Sequence, residues 1–167
     1  MFNITEKNYI MITDFFKNHQ YAKFALKICY SLFPLLIFIG YPVLILYVLF
    51  TSPYELVRVI LVPLGVFVTV TVLRKLICRQ RPYEKYKTES VFGKTTKGHS
   101  MPSRHTASAF VISMAMLYVN FDFGVLSLSV SVMIMLSRVL AGVHFLSDVI
   151  IGMCISVIAG IIFFFLI

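Results

Sequence analysis

Acidic residues are scarce in this chain. Seven Asp and Glu stand against fifteen Lys and Arg over 167 residues, and charged residues make up 13% of the total. Polar sequence of any kind is short as well. The chain is 59% hydrophobic with mean hydropathy +0.91, whereas soluble domains lie near about 45–50% apolar. That excludes an ordinary soluble protein and predicts one integral membrane domain over residues 1–167. Only three cysteines occur, Cys29, Cys78 and Cys154. Their number is odd, none is in CxxC spacing, and each falls in or beside an apolar run. They read as small apolar residues and exclude a disulfide framework. The N-terminus carries Glu6 and Asp14 and lacks a small-residue cleavage site, so it does not read as a signal peptide. No internal repeat or low-complexity tract is visible. So little sequence lies outside the apolar runs that nucleic acid is a poor partner for the surplus positive charge.

What is present is a series of long apolar segments. Residues 4–20 alternate Ile4, Tyr9, Ile10, Ile12, Phe15 and Phe16 with polar residues at helical spacing, which predicts an amphipathic helix lying in the membrane interface. An apolar run from Lys27 to Phe50 follows. It is long enough for one span of about 20 residues, with Pro34 and Pro42 as expected kinks. A break at Pro42 would make six spans instead of five. A second span is expected from Glu55 to Cys78, a third from Ser103 to Asn120, a fourth to Leu140, and a fifth from His144 onward. The fold class is therefore all-α, an integral membrane bundle of five transmembrane helices plus the interfacial one.

This count has a geometric result. The end of span two, the start of span three, the end of span four and the start of span five share one membrane face. Most of the positive charge converges there: Arg74, Lys75, Arg79, Arg81, Lys85, Lys87, Lys94, Lys97 and Arg104. A basic patch beside a bilayer attracts anionic headgroups or phosphates. The bland reading is snorkelling at a helix end. Residues 79–102 form the one long polar loop, and loops of that length are functional or disordered.

His144 and Asp148 are four residues apart, one helical turn, so they are expected to meet on one face. A carboxylate on one imidazole nitrogen fixes the tautomer and leaves the other nitrogen free to attack. Arg138 supplies charge for a phosphoryl target. Met101-Pro102-Ser103-Arg104-His105-Thr106 opens the third span, with Ser103 as expected N-cap. A helix N-terminus aims N–H donors and partial positive charge at phosphate, and His105 in the first turn is placed to protonate a departing oxygen. Arg74 and Arg81, seven apart, are expected on one helical face. The competing chemistry, a metal held by His105, His144 and Asp148, would be repelled by the surrounding arginines. His99 and His19 read as solvated, and Glu84 and Glu89 as partners of loop lysines.

Arg74 through Arg81-Pro82, then Pro102-Ser103-Arg104-His105, then Ser137-Arg138 with His144 and Asp148, resemble in order and spacing the motifs of the type 2 phosphatidic acid phosphatase superfamily of membrane lipid phosphatases. Arg104 replaces the family's glycine, and the family's lysine at the Arg74 position is found one place later, at Lys75. The resemblance implies a phosphohydrolase that uses no metal or other cofactor. His144 would be the nucleophile, forming a phosphohistidine, Asp148 its orienting acid, and His105 the proton donor to the leaving group. Arg81, Arg138, Ser103, Arg104 and a basic residue at Arg74 or Lys75 would bind phosphate. The short form is most similar to undecaprenyl-diphosphate phosphatases, with phosphatidylglycerophosphate and phosphatidate phosphatases close behind. The partners implied are a lipid phosphate and the bilayer; no oligomeric state follows.

The expected location is the cell membrane, multi-pass. The positive-inside rule would put the basic loop in the cytoplasm, whereas the resemblance puts the active site on the extracytoplasmic face. A non-catalytic protein binding anionic lipids through residues 74–104 is the reading from another class.

Overall fold

The structure, a computed structural model, describes residues 5–167. Among the described residues every regular element is helical. Helix α1 (Glu6–Asn18) is capped by Thr5, whose hydroxyl accepts the Asn8 N–H at 3.4 Å, and it buries Tyr9 and Thr13. This is the amphipathic helix read from the sequence; Ile4 lies outside the described residues. Helix α2 (Gln20–Lys27), a π turn (Ile28–Leu32) and α3 (Phe33–Thr51) then run on as one 32-residue rod. The rod passes through Pro42 unbroken, so the six-span alternative does not form.

Prolines inside helices leave a carbonyl four residues back without its N–H donor. At two of these prolines the freed carbonyls are taken up by other elements. Pro34 has no N–H to offer the carbonyls of the π turn before it; there Tyr30 accepts from Arg138 Nη2 at 2.8 Å and Cys29 from Ser137 Oγ at 3.3 Å. Pro63 leaves the Val59 carbonyl, which accepts from Tyr41 Oη at 3.0 Å. Each proline thus becomes a point of attachment between helices.

Helix α4 (Leu56–Ile77) ends at Cys78, which adopts a left-handed conformation with φ 44°. A short helix α5 (Pro82–Lys85) interrupts the polar loop, and α6 (Arg104–Val119), α7 (Phe121–Leu140) and α8 (Leu146–Gly160) follow, the last continued by a π-helical end (Ile161–Leu166). Four helical stretches are long and apolar enough to cross a membrane: Gln20–Thr51, Pro53–Lys85, Phe121–Leu140 and Leu146–Leu166. The expected third span, α6, is shorter and differs in kind. Its residues Thr106 to Ala115 are all buried, because α3, α4, α7 and α8 pack around it. A helix buried on every side is the centre post of a bundle.

Small residues let the helices come close. A Cβ at Gly152 would stand 2.9 Å from the Ser103 carbonyl oxygen, so only glycine permits this approach of α8 to the start of α6. There the Ser103 N–H donates to the Asp148 carbonyl at 2.9 Å. One turn further on, Ser156 Oγ donates to the Ala107 carbonyl at 2.8 Å. Between α6 and α7, Ser113 Oγ lies 2.5 Å from Ser127 Oγ and 2.9 Å from Ser131 Oγ. These bonds fix the ends of α6 and α8 against each other, and the functional side chains stand on those ends.

Candidate active site

A cavity of about 300 Å³ opens where the ends of α4, α6 and α7 meet the polar loop. Thr71, Arg74 and Lys75 line it from α4, Arg104 and His105 from α6, and Arg138 from α7. Val143 and His144 come from the turn before α8, Tyr30 from the π turn, and Arg81, Lys94 and His99 from the loop. Residues far apart in sequence meet at one end of the bundle, as the span count requires.

His144 is not on the helix that carries Asp148. It sits in the turn between α7 and α8, and Phe145 is the N-cap of α8. The expectation of one shared helical face is corrected accordingly. The two residues meet because Asp148, at the third helical position, reaches back and its Oδ2 accepts the Phe145 N–H at 3.0 Å. This is the return half of a capping box, and it folds the turn so that His144 Nδ1 comes to 3.6 Å from Asp148 Oδ2. Gly142 makes the turn possible with φ 74°. Asp148 is 0% exposed and lies behind His144 rather than in the cavity wall.

Burial is the largest influence on the His144 imidazole and pushes its pKa down to about 4; Asp148 opposes this, and Arg81 and Arg74 push the same way as burial. The ring is therefore neutral at ordinary pH. A neutral imidazole with one nitrogen toward a carboxylate keeps a lone pair on the other.

Arg74 and Arg81 do meet, though not as two residues of one helix. α4 has ended at Cys78, and Arg81 is extended, with ψ 160°, as the residue before a proline must be. Pro82 opens α5 and does not close α4. The Arg81 side chain donates from Nε to the Gly98 carbonyl at 3.2 Å and from Nη1 to the Val143 carbonyl at 3.3 Å, tying the loop to the turn that carries His144. Arg74 is buried and donates to the Pro102 carbonyl at 2.9 Å, while Lys75 is exposed at the cavity's rim. Arg138 is buried, with its guanidinium 4.1 Å from the Tyr30 ring centre and no partner on Nε.

Ser103 stands at the N-cap of α6 but its hydroxyl does not cap the helix. It accepts from Thr106 Oγ1 at 3.1 Å, fully buried and outside the cavity wall. The loop residues also depart from expectation. Glu84 does not serve the lysines; its carboxylate accepts the N–H of Arg81 at 2.8 Å and that of Gly98 at 2.8 Å. His99 has a partner, its Nδ1 lying 2.9 Å from the Arg74 carbonyl oxygen. Two residues that sequence reasoning did not single out touch Asp148: Ser100 Oγ donates to Oδ2 at 2.5 Å, and Arg79 Nη1 donates to Oδ1 at 2.7 Å. Among the described residues no group of three His, Cys, Asp or Glu side chains is placed to hold a metal ion.

The arrangement offers a nucleophilic nitrogen, a second imidazole and several guanidinium groups around one cavity. Such preplaced cations stabilise the charge that builds on a transferring phosphoryl group. The profile of the PAP2 superfamily matches residues 55–167. No curated protein matches the chain. Among solved structures, it is similar to the crystal structure of Aquifex aeolicus LpxE, with 23% identity, TM-score 0.72 and 92% of each chain covered. It is also similar to the transmembrane PAP2 type phosphatidylglycerolphosphate phosphatase from Bacillus subtilis, with 22% identity, TM-score 0.48, and 96% of this chain and 73% of that one covered. With the profile covering more than half its length, the chain belongs to the PAP2 superfamily and is a membrane lipid phosphatase of that metal-independent class.

Proposed function

We propose that the protein, working as one domain, removes a phosphate from a membrane lipid at the cavity lined by His144 and His105. Undecaprenyl diphosphate is the proposed substrate. The carrying observation is that both imidazoles and Arg74, Arg81, Arg104 and Arg138 line the same 300 Å³ space. His144 Nε2 attacks phosphorus while the bond to the leaving oxygen breaks, and His105, protonated once the bound phosphate offsets the cations around it, gives that oxygen its proton. The neutral His105 then takes a proton from water. The resulting hydroxide attacks the phosphohistidine, the P–N bond breaks, and His144 returns neutral as inorganic phosphate departs. Arg74, Arg81, Arg104 and Arg138, with Lys75 at the rim, hold the phosphoryl oxygens; each lost donor of this kind costs about 3–4 kcal/mol of transition-state stabilisation. Ser103 serves by fixing the start of α6.

One observation favours a diphosphate. A second cavity of about 380 Å³ shares Lys94 and Lys97 with the first; its wall adds Lys87 and also Glu84 and Glu89, so lysines outnumber carboxylates there by three to two. It gives a second anionic group room beside the one being cleaved. Phosphatidylglycerophosphate or phosphatidate is the alternative substrate. The proposed orientation puts this end of the bundle on the extracytoplasmic face of the cell membrane, tested by labelling a cysteine introduced in the 85–97 loop.

Purified protein in excess EDTA should release phosphate from undecaprenyl diphosphate, and His144→Ala and His105→Ala should abolish release. Full activity in His144→Ala would remove the mechanism. Binding of anionic lipid with no phosphate release would favour the non-catalytic reading.

A further inference from the structure

Asp148 and His144 do not make a hydrogen bond of ordinary length. Their 3.6 Å separation exceeds the roughly 2.7–3.2 Å of an N–H···O bond. Ser100 fills the gap. Its Oγ lies 2.5 Å from Asp148 Oδ2 and 3.3 Å from His144 Nδ1. A hydroxyl has one proton and two lone pairs, and an ionised carboxylate only accepts. The Ser100 proton therefore goes to Asp148. A lone pair is left facing Nδ1, so Nδ1 carries the ring's proton and Nε2 is bare.

The other carboxylate oxygen is held from behind. Arg79 Nη1 donates to Asp148 Oδ1 at 2.7 Å and to Ser147 Oγ at 2.7 Å, and its guanidinium lies 4.4 Å from the Phe145 ring centre. A carboxylate at 0% exposure needs such partners to remain ionised. Arg79 differs from Arg74, Arg81 and Arg138 in one respect: it does not line the cavity.

We infer that Ser100 and Arg79 are positioning residues for the nucleophilic histidine, Ser100 carrying the hydrogen bond from His144 Nδ1 to Asp148 and Arg79 fixing the carboxylate that receives it. This rests on the reading of His144 as nucleophile. As Nε2 bonds to phosphorus, positive charge grows on the ring. The Nδ1–H···Oγ–H···Oδ2 chain stabilises that charge without moving a proton, and when the P–N bond breaks the ring returns in the same tautomer.

The test is a set of cycles. Ser100→Ala and Arg79→Gln should each lower kcat about 10–100-fold, at the low end of what positioned proton-handling groups supply, with KM little changed. Ser100→Thr and Arg79→Lys should restore most of the rate. In an Asp148→Asn background neither Ser100→Ala nor Arg79→Gln should cost more, because both act through Asp148. Losses that multiply in that background, or a raised KM at unchanged kcat, would overturn the inference. A readout without turnover is the ¹⁵N spectrum of histidine-labelled protein. His144 should appear as the Nδ1–H tautomer, and its nitrogen signals should shift in Ser100→Ala while His19 stays put. Unchanged His144 signals would sink the relay, whether or not the protein releases phosphate. Absence of phosphate release from the unaltered protein would instead remove the nucleophile reading and leave the tautomer result standing. If Ser100→Ala does not fold, Ser100→Cys, a weaker donor, should show an intermediate rate and the same direction of spectral shift; an unaltered rate and spectrum would count against the relay.

Discussion

Tyr9 donates its phenolic hydrogen to the carbonyl oxygen of Gly142 at 3.1 Å, which joins the interfacial helix α1 to the turn that delivers His144. Tyr9 is buried and Thr13 packs beside it. A Cβ on Gly142 would stand 2.6 Å from Tyr9 Oη and 2.9 Å from Thr13 Cγ2, on a residue whose φ is 74°. Gly142→Ala therefore meets a backbone penalty of about 1–2 kcal/mol and a clash with α1. It should lower the unfolding temperature in detergent and displace the turn, cutting kcat. Tyr9→Phe removes only the bond, about 1 kcal/mol, and should retain most activity. A fully active Gly142→Ala protein would show that α1 and the turn move independently.

The pKa of His144 near 4, against an ordinary value of about 6.5, fixes the sign of two pH effects. His144 is neutral above about pH 4, so if it is the nucleophile as proposed its protonation should not limit kcat/KM between pH 4 and 6.5. Arg81→Gln removes a cation that holds the value down, so the acid limb of kcat/KM should move up toward 6.5. For stability, the unfolded imidazole binds a proton below 6.5 while the folded one does not until about 4. Stability from this group is then complete above 6.5 and is lost as pH falls through that window. Thermal unfolding at several pH values, compared between the unaltered protein and His144→Gln, measures the difference; identical pH dependence in the two would contradict the burial argument.

Lys94 and Lys97 border both cavities. If the second holds the other phosphate of a diphosphate, Lys94→Ala with Lys97→Ala should raise KM for undecaprenyl diphosphate about a hundredfold, at ~1.5 kcal/mol per charge-assisted contact. Phosphatidate, with a single phosphate, should respond less. Equal losses on the two lipids would mean that the lysines attract any anionic substrate and do not distinguish the diphosphate.

Much of this arrangement was readable in the chain because membrane spans obey simple rules of length and alternation. Counting apolar runs placed Arg74, His105, Arg138 and His144 at one end of the bundle, with helix ends within a few residues of those observed. What failed was the assumption that spacing implies a shared helix. His144 with Asp148, and Arg74 with Arg81, come together across a turn and a chain reversal, at Gly142 and Cys78, whose left-handed backbones no periodicity reveals. The roles of Glu84, Ser100 and Arg79 stay hidden in the sequence for a related reason. Their partners are backbone N–H groups or a carboxylate more than forty residues away, and a serine two residues before Pro102 gave no signal of its own. The short α6, buried from Thr106 to Ala115, was legible as a span but not as the centre, since its polar start and modest hydropathy look like a weak membrane helix.

Pro34 and Tyr30 lie outside the 55–167 segment matched by the family profile, yet they bear on Arg138 within it. Because proline has no N–H, the Tyr30 carbonyl lacks a donor four residues ahead and instead accepts from Arg138 Nη2 at 2.8 Å. The preceding Cys29 carbonyl accepts from Ser137 Oγ at 3.3 Å, and the Tyr30 ring lies under the same guanidinium at 4.1 Å. The π turn and the proline together orient a cavity-lining arginine, in keeping with the placement of such turns at functional sites. In Pro34→Ala the new N–H would compete for the Tyr30 carbonyl. The rod should become more regular, and the gain in helix propensity should offset the packing lost where the buried Pro34 ring stood. Arg138 would lose its fixed direction, so kcat/KM should fall about tenfold, one hydrogen-bond equivalent of roughly 1.4 kcal/mol, while thermal stability changes little. Loss of stability together with activity would point to a general packing defect and against a specific role for the proline in aiming Arg138.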